Sequence, residues 1–149
     1  MAITDKKRVL AHRMAMVARN WRGLADGELA QFGVSNSAGW CLIHIERLGP
    51  AVRQTDLAEA LDISQPSLVR TLDQLQVADL IARVTHPDDK RANLIGLTPA
   101  GQELVGRIEA KLDALRGQLL DGVPDDALEI ALWVIDMLSL RISEYKAQP

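Results

Sequence analysis

Residues 64–75, Ser64-Gln65-Pro66-Ser67-Leu68-Val69-Arg70-Thr71-Leu72-Asp73-Gln74-Leu75, constrain this chain more than any other stretch. Leu68, Leu72 and Leu75 are spaced four and three residues apart, so in a helix they share the buried side. Ser67, Arg70, Thr71 and Gln74 are expected on the opposite, exposed side, where each can hydrogen-bond. Ser64 is a good N-cap, and Gln65 followed by Pro66 at the first helical position competes for that role. If Ser64 caps, Ile63 and Leu68 occupy the two positions of a hydrophobic staple. The segment thus reads as a short helix held by its back and offering a polar front.

The neighbouring segments give that front a setting. Residues 55–61 predict a preceding short helix with Leu57, Ala58 and Leu61 inward, joined by Asp62-Ile63-Ser64. Two short helices joined so tightly form a helix-turn-helix whose second helix is presented. From residue 81 the period changes to two. Ala82 and Val84 alternate with Arg83 and Thr85, and Asn93, Ile95 and Leu97 alternate with Leu94 and Gly96. Between them Pro87-Asp88-Asp89-Lys90-Arg91-Ala92 is rich in turn formers and charge, which predicts a two-stranded hairpin with a charged tip.

A helix-turn-helix followed by a hairpin is a winged helix. In that arrangement the presented helix enters the major groove of a duplex and the hairpin tip reaches a flanking backbone or minor groove. Arg70, which can bond a guanine edge bidentately, and the tip cations Lys90 and Arg91 are then the contact candidates. Gln65 and Ser67 stand at the helix N-terminus, where the dipole favours anions.

The remaining segments read as helices. Residues 5–32 carry a stripe of Leu10, Met14, Val17, Trp21 and Leu24 at helix-packing spacing, with Gly33 as a stop. Ser35 or Ser37 can cap a second helix that bears Trp40, Cys41, Ile43, His44, Ile45 and Leu48 and ends at Gly49-Pro50. Thr98-Pro99 starts a helix with Leu104, Ile108, Leu112, Leu115 and Leu119, broken at Gly122-Val123-Pro124. Residues 125–146 carry Leu128, Leu132, Ile135, Leu138 and Ile142, with Asp125 and Asp126 as first-turn acids. The expected fold is mainly α with a small β-hairpin wing. Residues 49–98 form a winged lobe, and 1–48 with 99–149 form a helical dimerisation region around it.

Composition sets the limits. The 149 residues are 48% hydrophobic, ample for a core, and only 3% aromatic, so aliphatic side chains do the packing. The net charge of −3 runs against a nucleic-acid partner. From Ala51 to Leu97 the balance is five cations (Arg53, Arg70, Arg83, Lys90, Arg91) against seven acids (Asp56, Glu59, Asp62, Asp73, Asp79, Asp88, Asp89), or 5 − 7 = −2. DNA affinity would then rest on a few placed arginines, doubled by a dimer. The single cysteine, Cys41, excludes an intrachain disulfide, and its apolar neighbours favour a buried, inert thiol over an oxidant sensor. His12, His44 and His86 have no partners at metal spacing, so no metal site is expected. No apolar run is long enough for a bilayer, and the first residues lack the apolar stretch of a secretory signal, which makes the cytoplasm the expected location. No nucleophile–base pair, phosphate loop or carboxylate dyad suggests an enzyme.

Three stretches together resemble the MarR family of winged-helix transcriptional regulators, its SlyA-like branch in particular. They are Leu57-Ala58-Glu59-Ala60-Leu61, the Gln65-to-Leu75 helix, and Asp88-Asp89-Lys90-Arg91-Ala92 followed by Leu97-Thr98. Trp21-Arg22 and the spacing of Trp40 and His44 are similar to SlyA-type chains as well. The resemblance implies a homodimer on a palindromic, double-stranded operator, with Gln65, Ser67, Arg70, Thr71, Gln74, Asp89, Lys90 and Arg91 at the DNA. Arg91 would reach the minor groove and Asp89 would hold its guanidinium; alternatively, Asp88 and Asp89 only shape a turn. It further implies no cofactor but a small aromatic acid effector, salicylate-like, in a crevice lined by Arg19, Arg22, Trp40 and His44. The other reading of Trp40 and His44 is as ordinary core and rim residues. The rival function is a helical protein-interaction module that keeps the winged fold without binding DNA.

Overall fold

A computed structural model of the chain describes residues 3–90 and 93–148. The first helix, α1 (Ile3–Leu29), tightens into a 3₁₀ turn at Ala30–Phe32. Gly33 ends it at φ 72°, a left-handed conformation that glycine enters without steric cost. Of the expected stripe, Leu10, Met14, Val17 and Leu24 face solvent in the single chain, 39–53% exposed, and Trp21 is half-buried. Ala25 and Leu29, nearer the helix end, are buried.

Ser35, not Ser37, caps α2 (Asn36–Leu48): its hydroxyl accepts from the Ala38 amide at 3.2 Å. This helix is a shared wall. Cys41, Leu42 and Ile45 face a core built with Val52, Leu57, Leu68, Leu72, Leu75, Ile81, Ile95 and Val105. Ile43 faces a smaller core of Ala25, Leu29, Ile108 and Leu112.

The helix-turn-helix is α3 (Gln54–Leu61) and α4 (Gln65–Val77), turned by Asp62 in a left-handed conformation (φ 52°). Ser64 is the cap of α4, its hydroxyl accepting from the Ser67 amide at 3.4 Å, with Pro66 in the first turn. Leu68, Leu72 and Leu75 are at most 1% exposed, so the expected apolar back is in place.

The sheet corrects the expected two-stranded hairpin. It has three antiparallel strands in the order β1 (Val52–Arg53), β3 (Asn93–Leu97), β2 (Ile81–Thr85). Val52 pairs with Ile95, and β2 and β3 run in register from Ile81–Leu97 to Thr85–Asn93. A two-residue strand has no alternation to read, which is why the sequence pattern misses β1. Both Val52 and Ile95 are buried, so the added strand seats the wing on the main core.

A joint fixes the end of α4 to α5 (Pro99–Leu119). The Thr98 hydroxyl donates to the Asp79 carbonyl at 2.6 Å, and the Thr98 amide donates to the Leu80 carbonyl at 3.1 Å. The same hydroxyl accepts from the Gly101 amide at 3.1 Å, capping α5. Gly101 is needed here because a Cβ would lie 2.0 Å from the Leu80 carbonyl oxygen.

The chain divides into two compact units, one up to Leu115 and one from Arg116 onward. The second unit carries α6 (Asp125–Lys146), whose first turn holds Asp125 and Asp126. No residue of α6 is buried, and Ile130, Leu132, Trp133, Ile135, Leu140 and Ile142 are each more than half exposed.

Candidate nucleic-acid interface

The apolar back of α4 decides which side chains it presents. Gln65, Arg70 and Gln74 are exposed and Ser67 is half-buried. Arg70 makes no hydrogen bond or ion pair among the described residues. The Gln65 side-chain oxygen accepts from the Gln54 amide group at 3.2 Å, linking α3 to α4 beside the turn. The Ser67 hydroxyl sits within the cap, accepting from the Ser64 hydroxyl at 3.0 Å.

Thr71 departs from the expected exposed face. It is 9% exposed, and its hydroxyl donates to the Ser67 carbonyl at 3.2 Å. The reason is helical geometry. Thr71 lies three residues after Leu68 and four before Leu75, which puts it on the apolar seam, its hydroxyl satisfied by its own helix.

At the wing tip Asp88, Asp89 and Lys90 are exposed. The Asp88 amide donates to Nδ1 of His86 at 3.1 Å, a local bond that shapes the turn. Arg91, with Ala92, lies outside the described residues.

One contact at this surface has no local sequence signature. Arg83 on β2 forms an ion pair with Asp73 on α4. The Arg83 side chain is 20% exposed and that of Asp73 is 59% exposed. Alternation along β2 turns Arg83 to the same side as the buried Ile81, under the helix rather than into solvent. Its Nε is buried with no hydrogen-bond partner among the described residues.

A second cluster joins α1 to α2. The Trp40 indole donates to the Asp26 carboxylate at 2.6 Å, and Nε of Arg22 donates to the same oxygen at 3.3 Å. The Arg22 guanidinium lies 3.8 Å from the Trp40 ring centroid, and the His44 ring meets Trp40 edge-on with centroids 6.5 Å apart. Nδ1 of His44 is 2.9 Å from the Trp40 carbonyl, which assigns the proton to that nitrogen. Arg22, Trp40 and His44 are thus together. Arg19 is exposed and makes none of these contacts. Asp26 is the residue the sequence reading overlooked, and its place four residues after Arg22 is the signal that could have found it. A separate open hollow of about 270 Å³, lined by Glu46, Gly49, Pro50, Leu97 and Gln102, includes none of the four crevice candidates.

Cys41 is fully buried, and burial pushes its thiol up from 9.0 to about 12, so it stays protonated. Among the described residues no group of three or more His, Cys, Asp or Glu could hold a metal ion. No helix among them is long and apolar enough to cross a membrane.

Comparisons with known proteins converge. Residues 32–92 match the model of the MarR family. The crystal structure of transcriptional regulator PA3341 is 28% identical, with a TM-score of 0.82 over 91% of this chain and 98% of that one. A MepR mutant from S. aureus bound to an oligodeoxyribonucleotide is 26% identical, with a TM-score of 0.60 over 87% of this chain and 96% of that one. A MarR mutant from E. coli complexed with operator DNA shares the fold at 19% identity, with a TM-score of 0.73 over 93% of this chain and 99% of that one. These matches do not separate the SlyA-like branch from the rest. The capped, presented helix, three-stranded wing and flanking helices in this order give the chain the winged-helix fold of these regulators, and residues 32–92 are similar to the MarR family.

Proposed function

We propose that this chain is a sequence-specific DNA-binding transcriptional regulator acting as a homodimer on a palindromic operator. The observation that carries the reading is α4: three buried leucines hold it from behind while Arg70, Gln65 and Gln74 stand exposed. Arg70 would read a base edge in the major groove, and Gln65, Ser67 and Gln74 would bond bases or phosphates around it. Lys90 and Arg91 would meet the backbone and minor groove beside it, with Asp89 orienting Arg91. The MepR mutant bound to an oligodeoxyribonucleotide, to which this chain is structurally similar, supports this use of the fold.

The dimer is the reading that gives the apolar stripes a purpose. Leu10, Met14, Val17 and Leu24 on α1, and Ile130, Trp133, Ile135 and Ile142 on α6, are all exposed in the single chain. Surfaces of this kind mark association. Two-fold symmetry then places the two copies of α4 in half-sites about one helical turn apart. An aromatic acid would act by favouring a dimer whose recognition helices no longer match successive grooves. In the Arg22–Trp40–His44 cluster its carboxylate would compete with Asp26 for the arginine and indole donors, while Arg19 supplies a second cation at the rim.

The acidic lobe, at 5 − 7 = −2 from Ala51 to Leu97, favours one rival, an interaction module that has kept the fold without DNA. Selection of bound sequences from a random duplex pool, followed by affinity measurement across salt concentrations, separates the two. Enrichment of a palindrome whose affinity falls steeply with salt supports the regulator, because phosphate contacts release counterions. No enrichment and a flat salt response would refute it in favour of the module.

A further inference from the structure

We infer that Arg83 is a positioning residue of the DNA-binding surface, holding the Asp73 carboxylate so that Arg70 stays free for the duplex. The inference rests on the reading of α4 as a DNA-binding helix and deepens it.

Asp73 follows Arg70 by three residues on α4, a spacing that makes the two side chains neighbours on the helix surface. An acid beside a base-reading arginine does harm in two ways. It can pair with Arg70 and draw it off the DNA, and it repels the phosphates that flank the groove. In the structure the first does not happen. Asp73 is engaged from the other side by Arg83, which reaches it from the wing strand β2, and Arg70 makes no ion pair among the described residues.

The state of Arg83 fits this role better than a role in stability alone. Its guanidinium is mostly buried, with Nε left without a hydrogen bond among the described residues. A buried donor without a partner is destabilising. Burying a charge to reach a carboxylate that is itself 59% exposed offers little net stabilisation in return. What the arrangement supplies is a fixed counter-charge for an acid that would otherwise lie on the DNA side. It also removes one acid and one cation from the lobe's tally, so the charge left for DNA belongs to Arg53, Arg70, Lys90 and Arg91.

The test is a set of binding cycles on the full chain and a palindromic duplex from the random-pool selection. Arg83→Met, which keeps an unbranched apolar stem, should weaken binding roughly tenfold, as expected for one uncompensated charge near phosphates at intermediate dielectric. The same substitution in an Asp73→Asn background should change affinity less than about twofold, since the acid it restrains is gone. In an Arg70→Ala background it should also lose most of its effect, and Arg83→Lys should keep most of wild-type affinity. Melting temperatures without DNA separate this from unfolding: a structural pair would shift stability but would not couple to Arg70 in DNA affinity. Arg83→Met weakening binding equally in all three backgrounds would overturn the role of Arg83, making it a phosphate contact in its own right. Wild-type protein that selects and binds no duplex would overturn the DNA reading itself, a different failure.

Discussion

Replacing Asp26 by alanine tests the link between α1 and α2. One carboxylate oxygen of Asp26 accepts from the Trp40 indole at 2.6 Å and from Arg22 at 3.3 Å. A hydrogen bond to a charged acceptor contributes about 1.5–3 kcal/mol. The Asp26 side chain is 32% exposed, so water offsets part of that loss and the low end applies. The Arg22 pair is a surface contact four residues apart on one helix, and adds about 0.3–0.5 kcal/mol. Asp26→Ala should therefore lower stability by about 2 kcal/mol in urea unfolding. Far-UV circular dichroism is the suitable signal, because the indole is itself a variable. Protomer concentration must be held fixed, since association shifts the midpoint. Trp40→Phe also loses ring area, so the informative quantity is the coupling in the Asp26→Ala, Trp40→Phe cycle, expected at about 1–2 kcal/mol. Arg22→Ala alone should cost less than about 1 kcal/mol. Additive single effects, within about 0.5 kcal/mol, would refute the indole–carboxylate bond as the tie between the helices.

Arg70→Ala should cost about 1–3 kcal/mol of specific binding and relax base preference; an equal loss on operator and random duplexes would make it a phosphate contact. Lys90→Ala should weaken both kinds of duplex and lower the salt slope by about one per site, and an unchanged slope would take Lys90 off the DNA. Gly101→Ala should destabilise by about 1–3 kcal/mol, because its Cβ would lie 2.0 Å from the Leu80 backbone oxygen, which cannot yield cheaply; thermal unfolding measures this. Cys41, with its thiol pushed from 9.0 to about 12, should resist alkylation in the native state up to pH 10. Burial favours the protonated thiol, so the unfolded chain loses its proton first as pH rises. The Cys41 contribution to stability should thus fall between 9.0 and about 12, by about 1.4 kcal/mol per pH unit, and Cys41→Ala should remove that slope.

The helices were legible because their ends are written locally. Ser35, Ser64 and Thr98 each accept from an amide three residues on, and Gly33 takes the left-handed stop. The leucine seam of α4 was legible because a period repeats within one segment. Thr71 shows where a polar residue misleads: its hydroxyl suggested exposure, while its angular position between Leu68 and Leu75 already placed it inside. What joins distant segments left no such trace. Val52-Arg53 is too short for alternation, and its pairing with Ile95 and Leu94 depends on a strand forty residues on. Arg83 with Asp73, and Trp40 with Asp26, are partners only once strand and helices are packed. The expected α1 stripe was readable as a stripe, but its spacing carries no statement of what covers it.

The joint at Thr98 has a mechanical consequence. Its hydroxyl and amide bond the last two carbonyls before β2, while the same hydroxyl caps α5. The end of α4, the root of the hairpin and the first turn of α5 therefore meet at one rigid corner, with no slack residue between them. A displacement entering through the start of α5 is expected to carry the presented helix and the wing as one body. Their mutual angle is preserved, as it is by Arg83 and Asp73. In such a lever the adjustable quantity is where the lobe stands, and the gauge between the presented helix and the wing stays constant.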